Sequence, residues 1–267
     1  MAAKKKAAKK KAAKPKKKLL KATRAIKQAA VKSATKAAKG AKIKKVAGYD
    51  VPKAKAAKRD VLVLYGLQPS IPCGKVGLML NMLGVPYDYK HVDLMAGAHK
   101  TPAYAKINRF QQVPALVDGD ETIVQSAVIL QYLAEKYGKF GGKTPAERRR
   151  VAEWLAWDLD RLTPLGQVRF IRKFMNQPEH PALGWLEPRV RTNLEFLDRH
   201  LGGSKFVAGL FPTIADISIF AWIAVAEEAG FDASAFPNIR DWAQRMMGLR
   251  GVAHPYAILP KEDRIAA

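Results

Sequence analysis

Two short clusters carry the most chemical potential in this sequence: Ser70-Ile71-Pro72-Cys73 and Gln125-Ser126, each standing where an apolar helical pattern begins. The first N–H groups of a helix have no intrahelical partner, and the helix dipole adds partial positive charge at that end, so both places favour an anion. At Ser126 the anion would be a carboxylate, and the competing reading is a plain N-cap. Ser70 lies two residues before Pro72, at the mouth of the first helix. Cys73 falls in the first turn of that helix, where a thiol is expected to have a lowered pKa and to react as thiolate; its other reading is a small packing side chain. His91, His99, His180, His200 and His254 show no metal-ligand spacing, and no metal is expected.

The elements that must position these residues follow from periodicity. Val61 to Tyr65 is a β-branched and aromatic run stopped by Gly66, which reads as a buried strand. From Pro72 the apolar positions Val76, Met79, Leu80 and Leu83 recur at helical spacing, and Gly84 stops them. Tyr87 to Val92 reads as a second strand, and Met95 to Lys106 as at most a short helix. Pro114 to Val117 and Thr122 to Val124, joined by Asp118-Gly119-Asp120, read as a hairpin. Ser126 to Tyr137 then reads as a helix with Val128, Ile129, Tyr132 and Leu133 on one face and Gly138 beyond its end. The order is β-α-β-α-β-β-α, a small mixed sheet with helices on its faces.

Residues 139–144, with Gly141-Gly142, have linker composition. Beyond them only helical patterns occur: Glu147 to Leu162, Leu186 to Leu201, Ile214 to Ala229 and Ile239 to Leu249, and all five tryptophans lie in this half. The expected domains are therefore 60–138, α+β, and 145–267, all helical. Thr213 and Asp216 form a capping-box variant, whose expected work is to nucleate a core helix.

Charge divides the chain differently. Residues 1–59 hold 23 Lys and Arg against one acid, Asp50, a net of +22, while the remaining residues are close to balanced at +2. With 18 alanines and no Phe or Trp, this segment cannot bury enough apolar surface to offset an ordering cost of about 1 to 2 kcal/mol per residue. It is expected to be disordered when free, with a helix formed on anion binding as a further possibility. Its Lys/Ala composition resembles linker-histone tails and Lys/Ala-rich histone-like bacterial proteins, and it is expected to bind a polyanion. Nucleic acid in the form of duplex DNA is the first candidate; RNA, polyphosphate, acidic proteins, an anionic membrane surface or a simple solubilising or targeting arm are the alternatives. No apolar run of membrane-spanning or signal-peptide length occurs, and a single cysteine permits no internal disulfide, so a cytoplasmic protein is expected, associated with nucleoid or chromatin through its tail. Arginine and serine are too scarce before Asp60 to favour a transit peptide.

From Leu62 to about Tyr256 the chain resembles the cytosolic glutathione S-transferases. The marks are Gln112-Val113-Pro114, the hairpin, Gln125-Ser126 opening Ser126-Ala127-Val128-Ile129-Leu130, and Thr213-Ile214-Ala215-Asp216-Ile217. The resemblance implies a thioredoxin-like N-terminal domain and a helical C-terminal domain. It implies that Pro114 is cis, although only about one X-Pro bond in twenty is, and that Val113 pairs with the cysteinyl unit of glutathione as with an added strand. Gln125 and Ser126 would hold the γ-glutamyl carboxylate. Gln111 and Gln112 would hold the glycyl end, unless they are simply solvated.

A thiol of pKa about 8.5 must become a thiolate at neutral pH, and two units correspond to about 2.7 kcal/mol. A charge-assisted hydrogen bond of about 1.5 to 3 kcal/mol, together with a helix N-terminus, can supply that. Ser70-Ile71-Pro72-Cys73 resembles the serine segment of delta- and theta-like members, which makes Ser70 the first candidate. Cys73, as in cysteine-using members, and Tyr65, as in tyrosine-using classes, are its rivals; for Tyr65 the other reading is core packing. The second substrate is expected between the domains, near Trp157 and Arg161. The resemblance also implies a homodimer and glutathione as co-substrate for conjugation to an electrophile. The alternatives are a non-catalytic dimerisation scaffold and a glutathione-dependent disulfide reductase or peroxidase.

Overall fold

The computed structural model describes residues 61–266; the basic segment 1–59, with the expectations attached to it, lies outside the described residues. The first part runs β1 (Leu62–Gly66), α1 (Ile71–Leu83), β2 (Tyr87–His91), α2 (Pro102–Ile107), β3 (Ala115–Asp118), β4 (Glu121–Val124) and α3 (Ser126–Tyr137). Its four strands lie in the order β2-β1-β3-β4. β1 pairs parallel with β2, and β3 pairs antiparallel with both β1 and β4. This is the expected thioredoxin-like arrangement. Alternation sets the strands: Leu62, Leu64 and Gly66 of β1 are buried while Val63 and Tyr65 are not.

α1 is buried at every position from Cys73 to Leu80, so its pattern shows almost no polar face. The sheet covers one side of it, and the chain's C-terminal segment covers another. Gly74 and Gly77 make that second approach possible: a Cβ on Gly77 would lie 2.7 Å from Leu259 Cδ2, and one on Gly74 would lie 3.0 Å from Pro255 Cβ. α1 stops at Gly84, whose φ of 69° is readily adopted only by glycine.

The second part is helical: α4 (Pro145–Arg161), α5 (Thr163–Arg169), a π-helical turn at Phe170–Phe174, α6 (Leu183–Leu201), α7 (Ile214–Ile223), α8 (Pro237–Met247) and α9 (Pro255–Ile258). Thr144 and Glu147 cap α4 reciprocally. Asp216 is fully buried and does more than cap α7. Its Oδ2 accepts from the Thr213 N–H and hydroxyl, and its Oδ1 accepts from the Val207 N–H at 2.7 Å and Trp242 Nε1 at 3.0 Å. The structural reading of Thr213 and Asp216 holds.

Helix α4 closes at Arg161 with Leu162 as its cap, as expected, but α5, which restarts at Thr163 with Pro164 in its first turn where a missing N–H is tolerated, was not expected. Two other stretches also differ from expectation. Ile214 to Ala229 is not one helix: α7 ends at Ile223, and Ala226–Ala229 is a 3-10 turn that preserves the apolar spacing. Nor does the C-terminus stay with the helical half. Tyr89 and Arg264 exchange backbone hydrogen bonds of 2.7 and 2.9 Å, and Asp263 takes the His91 N–H and the Lys90 ammonium, so the end of the chain covers the β2 edge.

Candidate functional site

Register brings the singled-out residues to one end of the sheet. Tyr65, near the end of β1, pairs with Ala115 at the start of β3, and Ala115 pairs with Val124 at the end of β4. The loop after β1, the turn before β3 and the entry to α3 therefore converge, and the N-termini of α1 and α3 open at the same place. Between them the Val113-Pro114 peptide is cis. The Val113 N–H and carbonyl have no hydrogen-bond partner among the described residues, so both can pair with an extended peptide.

The turn that presents Val113 is built by two side chains which sequence reasoning did not single out. Asn108, buried, donates to the Gln112 carbonyl at 2.6 Å and accepts from the Phe110 N–H, and Tyr104 Oη donates to the same carbonyl at 2.9 Å. Gln111 within this turn has φ of 53°. The available signal was Asn108 two residues before Phe110, an Asx-turn spacing.

At α3, Gln125 stands at φ 71° and ψ 119°, a conformation L-residues avoid and one that clusters at binding sites. Its amide donates to Gln112 Oε1 at 3.2 Å, so the two glutamines meet across the site. Ser126 is the first helical residue and is buried. The first bond back along the helix runs from the Ile129 N–H to the Gln125 carbonyl, which leaves the Ser126, Ala127 and Val128 N–H groups directed out of the helix end. That is a place for a carboxylate.

Ser70 is the N-cap of α1, at φ −80° and ψ 115°, and its hydroxyl does not cap the helix. Cys73 Sγ accepts from the Leu67 N–H at 3.5 Å, and Ser70 lies close enough to pull against the rise of the thiol's pKa. Cys73 is wholly buried beside Gly66, which also lies against the Tyr89 ring. The expectation of a lowered pKa fails here: burial pushes the thiol up to about 11, against the smaller opposing pull of Ser70 and of the Leu67 hydrogen bond. Tyr65 is half-buried, its ring edge-on to Tyr104 with centroids 6.3 Å apart.

Trp157 packs on Trp154 and Phe196, and Arg161 pairs with its neighbour Asp160 while its carbonyl accepts from Asn193, so their contacts lie along α4 and with α6. What reaches the Ser70 loop is Arg169 of α5. Its Nη2 donates to the Pro69 carbonyl at 3.0 Å and to Tyr256 Oη, and its Nε pairs with Glu228 at 2.6 Å. From the other side, Gln68 Nε2 donates to the Tyr256 and Leu259 carbonyls at 2.8 and 3.1 Å. The site thus has a cationic, tyrosine-bearing wall supplied by α5 and the C-terminal segment.

Comparison with known proteins matches this geometry. The family model described as glutathione S-transferase, N-terminal domain, matches residues 60–135, and the one described as glutathione S-transferase, C-terminal domain, matches residues 163–249. A solved glutathione S-transferase from Pseudomonas fluorescens Pf-5 is 30% identical with a TM-score of 0.70, over 73% of this chain and 98% of that one. A delta-class glutathione transferase from Nilaparvata lugens is 32% identical with a TM-score of 0.66, over 71% and 90%. A glutathione transferase family member from Pseudomonas fluorescens Pf-5, solved with two glutathione bound, is 28% identical with a TM-score of 0.66, over 74% and 92%.

Proposed function

The chain belongs to the glutathione S-transferase family, and on that premise we propose that it binds glutathione along Val113 and the mouth of α3, stabilises its thiolate with the Ser70 hydroxyl, and directs the sulfur at an electrophile. The observation that carries this reading is the convergence of two helix N-termini on an unpaired Val113 backbone. In the reaction, the thiolate sulfur donates an electron pair to form a bond with the electrophilic carbon, and the displaced pair leaves with the leaving group. Ser70 donates its O–H to the sulfur before attack, and so lowers the thiol pKa rather than the sulfur's reactivity alone. The serine type, delta- or theta-like, is part of this proposal, and the likeness to a delta-class enzyme supports it.

The buried Cys73 gives no support to thiol exchange at its own sulfur. A homodimer and a polyanion-binding role for residues 1–59 belong to the same proposal; the segment's net charge of +22 supports the second.

The test is calorimetric titration of the full chain with glutathione, beside a conjugation assay with a chromogenic aryl halide. Loss of one charge-assisted hydrogen bond of about 1.5 to 3 kcal/mol predicts that Ser70→Ala lowers kcat/KM by about 10 to 150-fold. It also predicts that the bound thiol titrates nearer to about 8.5, so the pH profile of the variant moves to the alkaline side. Unchanged turnover and an unmoved profile would remove Ser70 from this role, and absence of any heat with glutathione would remove the reading as a whole.

A further inference from the structure

The turn at 67–70 has no regular structure, yet it must hold a hydroxyl to within a fraction of an ångström of a bound sulfur. The Pro69–Ser70 peptide plane within it is held from both sides. On one side of that plane the Ser70 N–H donates to the Leu67 carbonyl at 3.0 Å, and on the other the Pro69 carbonyl accepts from Arg169 Nη2 at 3.0 Å. Among the described residues Arg169 is the sole partner of that carbonyl. With this plane fixed at both ends, and the next one held by the Gly74 N–H donating to the Ser70 carbonyl at 2.9 Å, φ of Ser70 is fixed too, and with it the direction of the Cα–Cβ bond that carries the hydroxyl.

Arg169 suits this work because its guanidinium is planar and its donors have fixed directions. Its Nε is tied to Glu228 Oε2 at 2.6 Å, and that bond sets where Nη2 points. Glu228 is held in turn by Lys173 at 2.5 Å and by Tyr256 Oη at 2.9 Å, and Arg169 lies over the Phe174 ring at 5.0 Å from its centroid. The Arg169 side chain is only 7% exposed, so solvent does not loosen the fork. Tyr256 belongs to the same C-terminal segment whose carbonyls take the Gln68 amide, one residue before Pro69.

We infer that Arg169 is a positioning residue: braced by Glu228 and Tyr256, it holds the Pro69–Ser70 peptide plane and thereby aims the Ser70 hydroxyl at the glutathione sulfur. The inference rests on the reading of Ser70 given above, and it adds that the aim is set from the helical half and the C-terminal segment rather than by the thioredoxin-like part alone.

The experiment uses the full chain as wild type, Ser70→Ala, Arg169→Lys and Tyr256→Phe, with glutathione as the probe. The thiolate of bound glutathione is titrated by its ultraviolet absorbance, and kcat and KM for glutathione are measured separately. Lysine keeps the charge beside Glu228 but is a single point donor that cannot serve Glu228 and Pro69 with the same fork geometry. A misaimed hydroxyl predicts that kcat falls about tenfold to a hundredfold in Arg169→Lys while KM for glutathione stays within about twofold, because Val113 and Ser126 are untouched. The thiol titration moves to the alkaline side with it, and Tyr256→Phe moves in the same direction by less.

A purely structural role lowers Tm and leaves the thiol titration and kcat of the folded variant where they were; that result overturns the inference. Should Arg169→Lys fail to fold, Tyr256→Phe decides, and an unmoved titration in it is equally fatal. A wild-type titration shifted by Ser70→Ala but by neither other variant removes this inference alone. A wild type with no lowered thiol titration at all removes the Ser70 reading and this inference together.

Discussion

At Cys73 two effects oppose each other, and their sizes decide the outcome. A helix N-terminus stabilises an anion by about 0.3 to 1 kcal/mol at ordinary sites and about 2 at best. Complete burial removes the thiolate's hydration, and the net result is a thiol raised from 9.0 to about 11. Two units are a hundredfold in thiolate fraction, so maleimide labelling at pH 7 is expected to be slower in the native chain than in urea by about 100-fold or more. Equal rates in the two states would mean that the thiol is open to solvent, and would restore it as a candidate nucleophile. The sequence showed Cys73 at a helical first-turn position and nothing about how many sides of that helix are covered, which is why the sign of the shift was illegible. Ser70, Ser126 and Val113-Pro114 were legible because a helix start and an X-Pro step are local facts. Arg169 was not: its partners Pro69, Glu228 and Tyr256 lie 100, 59 and 87 residues away in sequence, and no local pattern announces them.

Between elements, one ion pair is almost fully buried. Lys75 of α1 and Asp158 of α4 meet at 2.6 Å with both side chains almost fully buried, and the Ser218 hydroxyl of α7 donates to the same carboxylate oxygen at 2.5 Å. The Lys75 ammonium also lies 5.0 Å from the Trp222 ring centroid. Burial drives the Lys75 pKa below its ordinary value, and Asp158 works against that. Such a pair contributes little net stability, because desolvation offsets most of the attraction, but removing one member strands the other. Lys75→Met is therefore expected to cost about 3 to 5 kcal/mol in urea unfolding, and Lys75→Met with Asp158→Leu distinctly less than the sum of the two single changes. Additive costs would show that the two charges do not depend on each other. The same elements show where sequence reading stopped. α1 and α3 were visible in outline because their apolar spacing is unbroken, whereas α5 hid behind Pro164 and the single bridge between Arg264 and Tyr89 is too short to leave an alternation in the sequence.

On the scale of the whole molecule, a nearly neutral folded part is joined to a segment with a net charge of +22. Residues 1–59 hold one aromatic, Tyr49, and few side chains of base-reading type, so the proposed polyanion contact is chiefly one of charge. Its energy then comes from counterion release, and its strength must follow salt steeply: with six to ten phosphates neutralised on duplex DNA, affinity falls about 10³ to 10⁵-fold between 50 and 200 mM salt. A homodimer would carry two such segments, and linkage would raise the apparent affinity further at low salt without adding any new kind of contact. Duplex DNA retardation by the full chain is accordingly expected at low salt, with no dependence on sequence, and it should vanish when residues 1–59 are deleted. Glutathione binding is expected to be unchanged by the same deletion, because Val113, Ser126 and Ser70 all lie outside the deleted stretch. Retardation that persists at about 1 M salt, where the Debye length is about 3 Å, could not come from exposed lysines alone and would require a contact of another kind.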